Sequence, residues 1–129
     1  MILLDTHAWL WWLAAPDRLS ARAREEIAGA ARLGVSTLSA WEIATLHRRG
    51  RISLDRDVKL WVREALAEPR VVALAPSADI AIAAASLDPD AFPGDPIDRL
   101  IYATARDVDA VLVTRDGALR AFDPQTTLW

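Results

Sequence analysis

Residues 110–116 run Ala-Val-Leu-Val-Thr-Arg-Asp, an apolar and partly β-branched stretch that ends in a hydroxyl and a carboxylate. Such a run predicts a strand over Ala110–Thr114 that is buried on both faces, followed by a short helix over Asp116–Phe122. The chain begins in the same way, because Ile2–Leu4 is a second short buried strand that runs into Asp5-Thr6 and then a helix through Trp12. Buried strands that pass directly into helices indicate a parallel sheet flanked by helices.

The same alternation continues along the rest of the chain. Short apolar runs predict further strands, and helical periodicity with capping residues predicts further helices. The predicted strands are Leu33–Ser36, Val71–Leu74 and Thr127–Trp129, the predicted helices are Ser20–Arg32, Ser39–Gly50, Asp57–Leu66, Ser77–Ala85 and Asp95–Asp107, and the Pro- and Asp-rich stretch Leu87–Pro96 is a predicted extended loop. This βαβ succession favours an α/β fold with a parallel sheet.

Length and composition restrict the class of protein. A chain of 129 residues has the size of one domain, so we expect residues 1–129 to fold as a single unit. Cysteine is absent, which excludes thiolate catalysis, disulfides and cysteine-ligated zinc or iron–sulfur sites. The longest apolar run, Ala8–Ala15, is too short to span a bilayer and follows no basic segment, so we expect a cytoplasmic protein with no membrane contact.

The chain is rich in apolar residues for its size. Hydrophobic residues make up 53% of it, and six of them are tryptophan. This content predicts that some apolar surface is buried against a partner protein or a second copy of the chain. Trp9, Trp11 and Trp12 offer stacking surfaces for nucleic-acid bases, but packing in the core or an interface is the favoured interpretation.

Acidic residues follow several of the predicted strands. Asp5 ends the first strand, Asp116 follows the strand Ala110–Thr114, and Glu42 lies in the first turn of the helix after the strand Leu33–Ser36. In open α/β sheets, binding sites form beyond the carboxyl ends of the strands. A further pair, Asp95 and Asp98, lies at the start of a helix with a spacing of three residues, which places both on nearly the same helical face.

Each of these acids also has a purely structural interpretation. Asp5 and Asp116 are suited to cap the helices that follow them, and Asp95 before Pro96 is a strong capping signal. Ser39-Ala-Trp-Glu42 fits a capping box, in which the glutamate returns to the serine backbone. Taken singly, the acids do not separate helix capping from ligand binding.

Taken together, the acids indicate a cation site. Carboxylates at one edge of a sheet repel each other by roughly 4 kcal/mol per close pair, and a bound cation relieves that repulsion. Oxygen ligands favour Mg²⁺ or Mn²⁺ over Zn²⁺, and these ions serve phosphate transfer and hydrolysis. The net charge of −3 does not exclude a polyanionic substrate, because the four suspected site acids, Asp5, Glu42, Asp98 and Asp116, account for the whole acidic excess.

Four segments, taken in order, carry a resemblance to a known family. They are Ile2-Leu-Leu-Asp-Thr-His7, Ser39-Ala-Trp-Glu-Ile-Ala44 with Gly50-Arg-Ile-Ser-Leu54, Asp95-Pro-Ile-Asp-Arg-Leu-Ile-Tyr-Ala-Thr-Ala105, and Val113-Thr-Arg-Asp116. With these segments the chain resembles the PIN-domain ribonucleases, specifically the VapC-type toxins of bacterial toxin–antitoxin pairs. The resemblance spans essentially the whole chain.

The resemblance implies a fold, an activity and partners. The fold is a three-layer α/β/α sandwich with a short central parallel sheet. The activity is endonucleolytic cleavage of RNA that depends on Mg²⁺ or Mn²⁺, with a small VapB-like antitoxin that neutralises it and a homodimer as the working state. The implied catalytic and metal-binding residues are Asp5, Glu42, Asp98 and Asp116, with Asp95 as an auxiliary acid and Thr6 and Thr114 as hydroxyls that orient the acids.

The basic residues allow two interpretations. Arg99, directly after Asp98, is suited either to contact substrate phosphate or to pair with the acids, and pairing is slightly favoured. A rim formed by Arg18, Arg22, Arg24 and the cluster Arg48–Arg51 would follow a phosphate backbone, but solvated helix faces have the same composition. His7 is expected near the pocket without a catalytic role.

Two other classes of function compete with the nuclease. The same fold with capping acids would serve as a non-catalytic interaction module that binds a partner through apolar helices. An acid pocket with an aspartate nucleophile, as in phosphatases, is the second alternative. Against it, Asp5-Thr6-His7 lacks a second aspartate two residues after the first. The sequence does not indicate which RNA would be cut.

Overall fold

The computed structural model describes residues 1–92 and 94–129. In these residues, short strands alternate with seven α-helices. The strands are β1 (Ile2–Leu4), β2 (Leu33–Ser36), β3 (Val71–Leu74), β4 (Val111–Val113) and β5 (Thr127–Leu128), and the helices are α1 (Thr6–Ala14), α2 (Ala21–Gly29), α3 (Leu38–Arg48), α4 (Val58–Leu66), α5 (Ala78–Ala85), α6 (Pro96–Asp107) and α7 (Gly117–Phe122).

The strands form one parallel sheet in the order β3-β2-β1-β4-β5. β1 is central and pairs on both sides, with Leu3 opposite Gly34 in β2 and opposite Leu112 in β4. The next strands outward, β3 and β5, also pair in parallel. The predicted α/β class with a central parallel sheet is therefore confirmed.

One face of the sheet packs against helices α1 to α4. Leu4, Val35 and Val113 present fully buried side chains to this side, where they join the core formed with the helices. Trp9 of α1 is also fully buried and meets Trp61 of α4 edge to face at 5.6 Å between ring centroids. The expectation that the N-terminal tryptophans serve packing is confirmed for Trp9, and for Trp11, which is 4% exposed.

The opposite face packs against α6 and α7, and α5 packs on α6. Leu3 and Leu112, the neighbours of Leu4 and Val113 in sequence, point to this side because successive strand residues face opposite ways. They join Ile101 and Tyr102 of α6 in the second core. Helices on both faces of the sheet complete the three-layer α/β/α arrangement.

Several predicted element bounds need correction. α2 ends at Gly29 and not at Arg32, because Ala30 has an extended backbone and Arg70 donates to the carbonyls of Ile27 and Ala30. α1 continues two residues beyond Trp12, to Ala14. A short 3-10 helix at Pro16–Arg18 was not predicted. The predicted loop Leu87–Pro96 includes Pro93, which lies outside the described residues.

The helices of the described residues are short. None of them combines the length and the apolar composition that a membrane-spanning segment requires.

Candidate active site

Five carboxylates line one open cleft at the carboxyl edge of the sheet. The cleft has a volume of about 520 Å³, and its lining includes the predicted quartet and the predicted auxiliary acid, namely Asp5, Glu42, Asp98, Asp116 and Asp95. They come from the end of β1, from α3, from the start of α6 and from the segment after β4. The parallel sheet brings them together because its strands end at one edge.

Asp5 follows β1 and is held by two hydrogen bonds. Its Oδ1 accepts from the backbone N–H of Thr6 at 2.8 Å, which makes Asp5 the N-cap of α1, and its Oδ2 accepts from the hydroxyl of Thr114 at 2.7 Å. Burial raises the pKa of Asp5, while the hydrogen bonds from Thr114 and Thr6 act to lower it. A carboxylate in this position would be stabilised by a nearby cation.

Glu42 lies on α3 and is held by a buried hydroxyl. Its Oε1 accepts from the hydroxyl of Thr6 at 2.5 Å, and the hydroxyl of Ser39 lies 2.9 Å from the same Thr6 oxygen. Burial raises the pKa of Glu42, and the hydrogen bond from Thr6 opposes that rise. The expected Ser39–Glu42 capping box is wrong, because α3 begins at Leu38 and the Ser39 side chain is completely buried.

Asp95 and Asp98 form a reciprocal capping box at the start of α6. Oδ1 of Asp95 accepts from the N–H of Asp98 at 2.9 Å, and Oδ2 of Asp98 accepts from the N–H of Asp95 at 3.1 Å. The sequence indicated the cap at Asp95 but not the returning bond from Asp98. Burial, and then the charge of Asp95, raise the pKa of Asp98 to about 7. Asp98 is therefore only partly ionised at neutral pH.

Gly94 lies against the Asp98 side chain. A Cβ at position 94 would lie 2.5 Å from the Cβ of Asp98 and 2.6 Å from the ring of Phe92. These distances are too short for any side chain, so the close approach requires glycine at this position. The packing of Gly94 thereby helps to fix the position of Asp98 at the rim of the cleft.

Asp116 begins the last helix and is linked to Asp5 through one hydroxyl. Its Oδ1 accepts from the N–H groups of Ala118 and Leu119, at 2.9 and 3.1 Å, and so caps α7. Its own N–H donates to the Thr114 hydroxyl at 3.1 Å, while that hydroxyl donates to Asp5. The completely buried Thr114 therefore positions two acids of the cleft at once.

The hydrogen bonds leave one oxygen open on four of the five carboxylates. Protein hydrogen bonds engage Oε1 of Glu42, Oδ1 of Asp95, Oδ2 of Asp98 and Oδ1 of Asp116. Counting donors from residues 1–92 and 94–129, the second oxygen of each of these carboxylates accepts no protein hydrogen bond. Helix capping and ligand binding are therefore compatible in the same side chains.

His7 and Arg115 also line the cleft. Burial lowers the pKa of His7 from its ordinary value of 6.5, although the charge of Asp5 acts to raise it. Arg115 was not singled out from the sequence. The signal available was its place between Thr114 and Asp116, two residues assigned to the site.

Arg99 is turned away from the acids in this structure. Its guanidinium donates to the carbonyl of Leu87 at 2.9 Å and lies over the ring of Phe92, with its carbon 5.3 Å from the ring centroid. It does not line the acidic cleft. The reason is the helical geometry of α6, which turns consecutive residues in different directions, so Asp98 and Arg99 cannot share one face.

The chemistry of the donors fits a hard divalent cation. The cleft offers five carboxylates and no sulfur ligand, and burial raises the pKa of Asp5, Glu42 and Asp98. Both features favour Mg²⁺ or Mn²⁺, because a cation offsets the cost of keeping buried carboxylates ionised. In the part of the chain that the structure describes, however, no three acidic or histidine side chains form a ready ligand group as they stand.

Comparisons with known proteins identify the family of the chain. Residues 2–123 match the PIN domain family. The chain is 43% identical over 120 residues to "Ribonuclease VapC22" from Mycobacterium tuberculosis (strain ATCC 25618 / H37Rv), with 93% of this chain and 90% of that protein covered.

Two solved structures share the fold at lower sequence identity. A toxin-antitoxin complex from Klebsiella pneumoniae contains a chain that superimposes with a TM-score of 0.71 at 18% identity, over 100% of this chain and 97% of that chain. A chain of VapBC2 from Rickettsia felis, solved bound to a DNA fragment from its promoter, gives a TM-score of 0.70 at 15% identity, over 99% of this chain and 98% of that chain. The resemblance inferred from the four sequence segments is confirmed, and the chain belongs to the PIN domain family, among relatives of the VapC type.

Proposed function

We propose that this chain is a divalent-metal-dependent endoribonuclease of the VapC type, which cuts structured RNA in the cytoplasm and is held inactive by an antitoxin. The acidic cleft carries this proposal, because five carboxylates converge there and four of them keep an open oxygen. The 43% identity to a protein named as a ribonuclease supports it, and PIN nucleases are generally metal-dependent. We further propose that residues 1–129 form one domain.

Mg²⁺ or Mn²⁺ would be held by Asp5, Glu42, Asp98 and Asp116, with Asp95 in an auxiliary role. Such an ion, when bound, supplies positive charge for the developing negative charge on phosphate and makes water more acidic. The acids are the ligands of choice because carboxylate oxygens match the preference of hard cations.

The hydroxyls of the chain orient these acids for that role. Thr6 holds Oε1 of Glu42, which leaves Oε2 to bind the ion or to accept the proton of the attacking water. Thr114 holds Oδ2 of Asp5 and the backbone of Asp116. Because Thr6 and Thr114 are each at most 1% exposed, neither hydroxyl exchanges its partner with solvent, and the acids are positioned before substrate arrives.

The test compares the purified chain with its Asp98→Asn variant on a pool of structured cellular RNAs. We expect discrete cuts with Mg²⁺ or Mn²⁺, no cuts with EDTA, and loss of cleavage by at least two orders of magnitude in the variant. Mn²⁺ binding, measured by calorimetry on the same samples, checks the ligand role without relying on activity. Asp90→Asn is the matched control, because Asp90 is exposed and does not line the cleft.

A non-catalytic interaction module is the second candidate, and a specific observation favours it. Asp5, Asp95, Asp98 and Asp116 all accept hydrogen bonds at helix starts, so each has a structural reason to be there. This candidate predicts no Mn²⁺ affinity that depends on Asp98 and no RNA cleavage. The two measurements above therefore decide between the candidates.

We propose a VapB-like antitoxin as the physiological partner, bound across the rim of the cleft. Trp41 precedes Glu42 on α3 and is 60% exposed, which is unusual for a tryptophan and typical of an anchor residue in an interface. The solved relatives with this fold include toxin–antitoxin complexes. Trp41→Ala should weaken antitoxin binding at least tenfold while leaving the cleavage of RNA by the free chain in place.

We also propose a homodimer that forms through α5. This helix is apolar on its outer side, where Ala81 and Ala85 are exposed and Ile82 is 65% exposed. Burying that side against a second copy would remove the apolar surface from water. Sedimentation of the wild type and of Ile82→Asp checks this, since the variant should shift the chain to monomer.

A further inference from the structure

A second pocket, rich in arginine, adjoins the acidic cleft. It has a volume of about 320 Å³, and its lining residues are three arginines and four others, namely Arg18, Arg51 and Arg115 with His7, Trp11, Leu46 and Ile52. His7 and Arg115 line both the pocket and the acidic cleft, so the two spaces share a wall. The pocket is built from distant segments, because Arg18 ends a 3-10 helix after α1 and Arg51 follows α3.

An aromatic ring holds two of these arginines in place. The guanidinium carbon of Arg18 lies 4.7 Å from the ring centroid of Trp11, and that of Arg115 lies 5.1 Å from the same centroid. Trp11 is itself 4% exposed and packed against Trp129, so its position is set by the core. Cation–π contacts of this kind stabilise the arginine side chains in one orientation before any ligand binds.

In the described residues, the three arginines of the pocket form no ion pair with a carboxylate. Within residues 1–92 and 94–129, no carboxylate oxygen lies within 4.0 Å of a side-chain nitrogen of Arg18, Arg51 or Arg115, whereas Arg24 and Arg56 do have such partners. Cations that share a concave site and make no ion pair repel each other. An anion in the pocket would relieve that repulsion, and a guanidinium matches the oxygens of a phosphate in geometry.

We propose that this pocket binds a backbone phosphate of the RNA strand next to the phosphate that is cut. This inference rests on the proposed nuclease function and adds a substrate contact to it. A strand whose scissile phosphate occupies the acidic cleft passes the shared wall at His7 and Arg115, which brings a neighbouring phosphate to Arg18 and Arg51. The contact is to the backbone, so it strengthens binding for any base sequence.

The pocket also solves an electrostatic problem of the cleft. An acidic cleft repels a polyanion until a cation is bound, and the chain carries a net charge of −3. Positive charge placed beside the cleft supplies a local attraction that does not neutralise the acids themselves. In this proposal, the arginines bind the RNA strand and the carboxylates bind the ion.

The test measures binding and cleavage separately. A fluorescent, single-stranded 2′-O-methyl RNA, which lacks the free 2′-hydroxyls, is titrated with Asp98→Asn protein to report affinity without cutting. Arg51→Ala and Arg18→Ala are each introduced into that background and into the wild type. Arg32→Ala is the control, because Arg32 is exposed and directly precedes β2 at the opposite edge of the sheet, and its removal changes the net charge equally.

We expect each pocket variant to weaken RNA binding about tenfold. The slope of log affinity against log salt should fall by about 0.7 for each phosphate contact that is lost. In the cleaving protein, KM should rise to the same extent with kcat within about twofold, and Arg51→Lys should recover part of the loss. Mn²⁺ binding should match that of the parent chain, and Arg18→Ala, which loses its contact with Trp11, should lower Tm by no more than about 4 °C.

Two results would overturn the proposal. In the first, Arg51→Ala and Arg18→Ala bind RNA with the affinity and salt slope of Arg32→Ala. In the second, they keep RNA affinity but lose affinity for the antitoxin, which would make the pocket a protein-binding site. Neither result affects the nuclease proposal, which fails separately if the wild-type chain neither binds Mn²⁺ nor cuts RNA.

Discussion

Replacing Asp98 by asparagine should stabilise the metal-free protein while it abolishes cleavage. Asparagine keeps an oxygen that can accept the hydrogen bond from the N–H of Asp95, but it removes the charge. In the folded protein, burial and the charge of Asp95 raise the pKa of Asp98 from 3.8 to about 7. The ionised carboxylate is therefore less stable in the fold than in the unfolded chain.

The size of the effect follows from that change in pKa. A rise of about three pH units corresponds to about 4 kcal/mol at 1.36 kcal/mol per unit. Asp98 is only partly buried in an open cleft, and screening by water reduces this by about half, to about 2 kcal/mol. For a chain of this length, about 2 kcal/mol corresponds to a rise in Tm of about 6–10 °C.

The pH dependence has a definite sign. The folded-state pKa lies above the unfolded value, so the wild type is most stable below pH 3.8 with respect to this group, and it loses stability as the pH rises toward 7. Asp98→Asn has no such loss. The variant should therefore have the higher Tm by the whole of this amount at pH 8, and the two proteins should have nearly the same Tm at pH 4.

Thermal unfolding followed by circular dichroism, in EDTA, measures this difference. Asp90→Asn is the control and should change stability by no more than about 0.5 kcal/mol at either pH. Adding Mn²⁺ at about 100 times its dissociation constant should raise the wild-type stability by about 2.7 kcal/mol and leave the variant unchanged. A lower Tm for Asp98→Asn in EDTA at pH 8, or a gain that does not depend on pH, would refute the reasoning.

Three further substitutions test how the acids are positioned. Thr6→Val removes the donor to Oε1 of Glu42, so kcat should fall about tenfold or more and stability by about 1–3 kcal/mol, whereas Thr6→Ser should restore both. Asp116→Asn keeps an oxygen that can cap α7, so it should lose activity while its stability stays unchanged. Asp116→Ala loses the cap as well, so the same unfolding assay should show a stability lower by ~1 kcal/mol in addition to the loss of activity. Gly94→Ala brings a Cβ to 2.5 Å from the Cβ of Asp98 and should lower kcat up to about a hundredfold, although it alters no proposed ligand. Wild-type kinetics for this variant would mean that the position of Asp98 is not critical.

The strands were predictable from the sequence because burial on both faces leaves an uninterrupted apolar signal. Predicted and observed bounds agree for β1, β2 and β3. The carboxyl ends of β1, β2 and β4 placed three of the candidate acids at one edge of the sheet, where the structure has them. Asp98 follows no strand, and it was predicted as a site residue from the Asp95–Asp98 segment at the start of a helix. Helix ends were less predictable, since α2 stops where Arg70, a residue distant in sequence, takes up its terminal carbonyls.

The failures concern side-chain direction, which sequence spacing does not determine. Ser39 is a residue type that often caps helices, but α3 begins one residue earlier, at Leu38, and the Ser39 hydroxyl is buried beside Thr6. Arg99 is adjacent to Asp98 in sequence and turned away from it in space. Arg115 was missed although it lies between two residues assigned to the site, because sequence position alone does not show what an exposed arginine contacts. Its significance depends on Trp11 and Arg18, which the fold brings to it from another segment.

The two interpretations that the sequence left open, helix caps or ligands, are not exclusive at the level of atoms. A capping carboxylate needs one oxygen for the backbone N–H groups, and the second oxygen is then held in a fixed direction. In Asp95, Asp98 and Asp116 the capped oxygen and the open oxygen belong to the same rigid group. The three caps place negative charge at the starts of α6 and α7, where the helix dipole stabilises it. Helix capping therefore fixes the position of a carboxylate as metal binding requires, and a bound cation would offset the repulsion between the carboxylates.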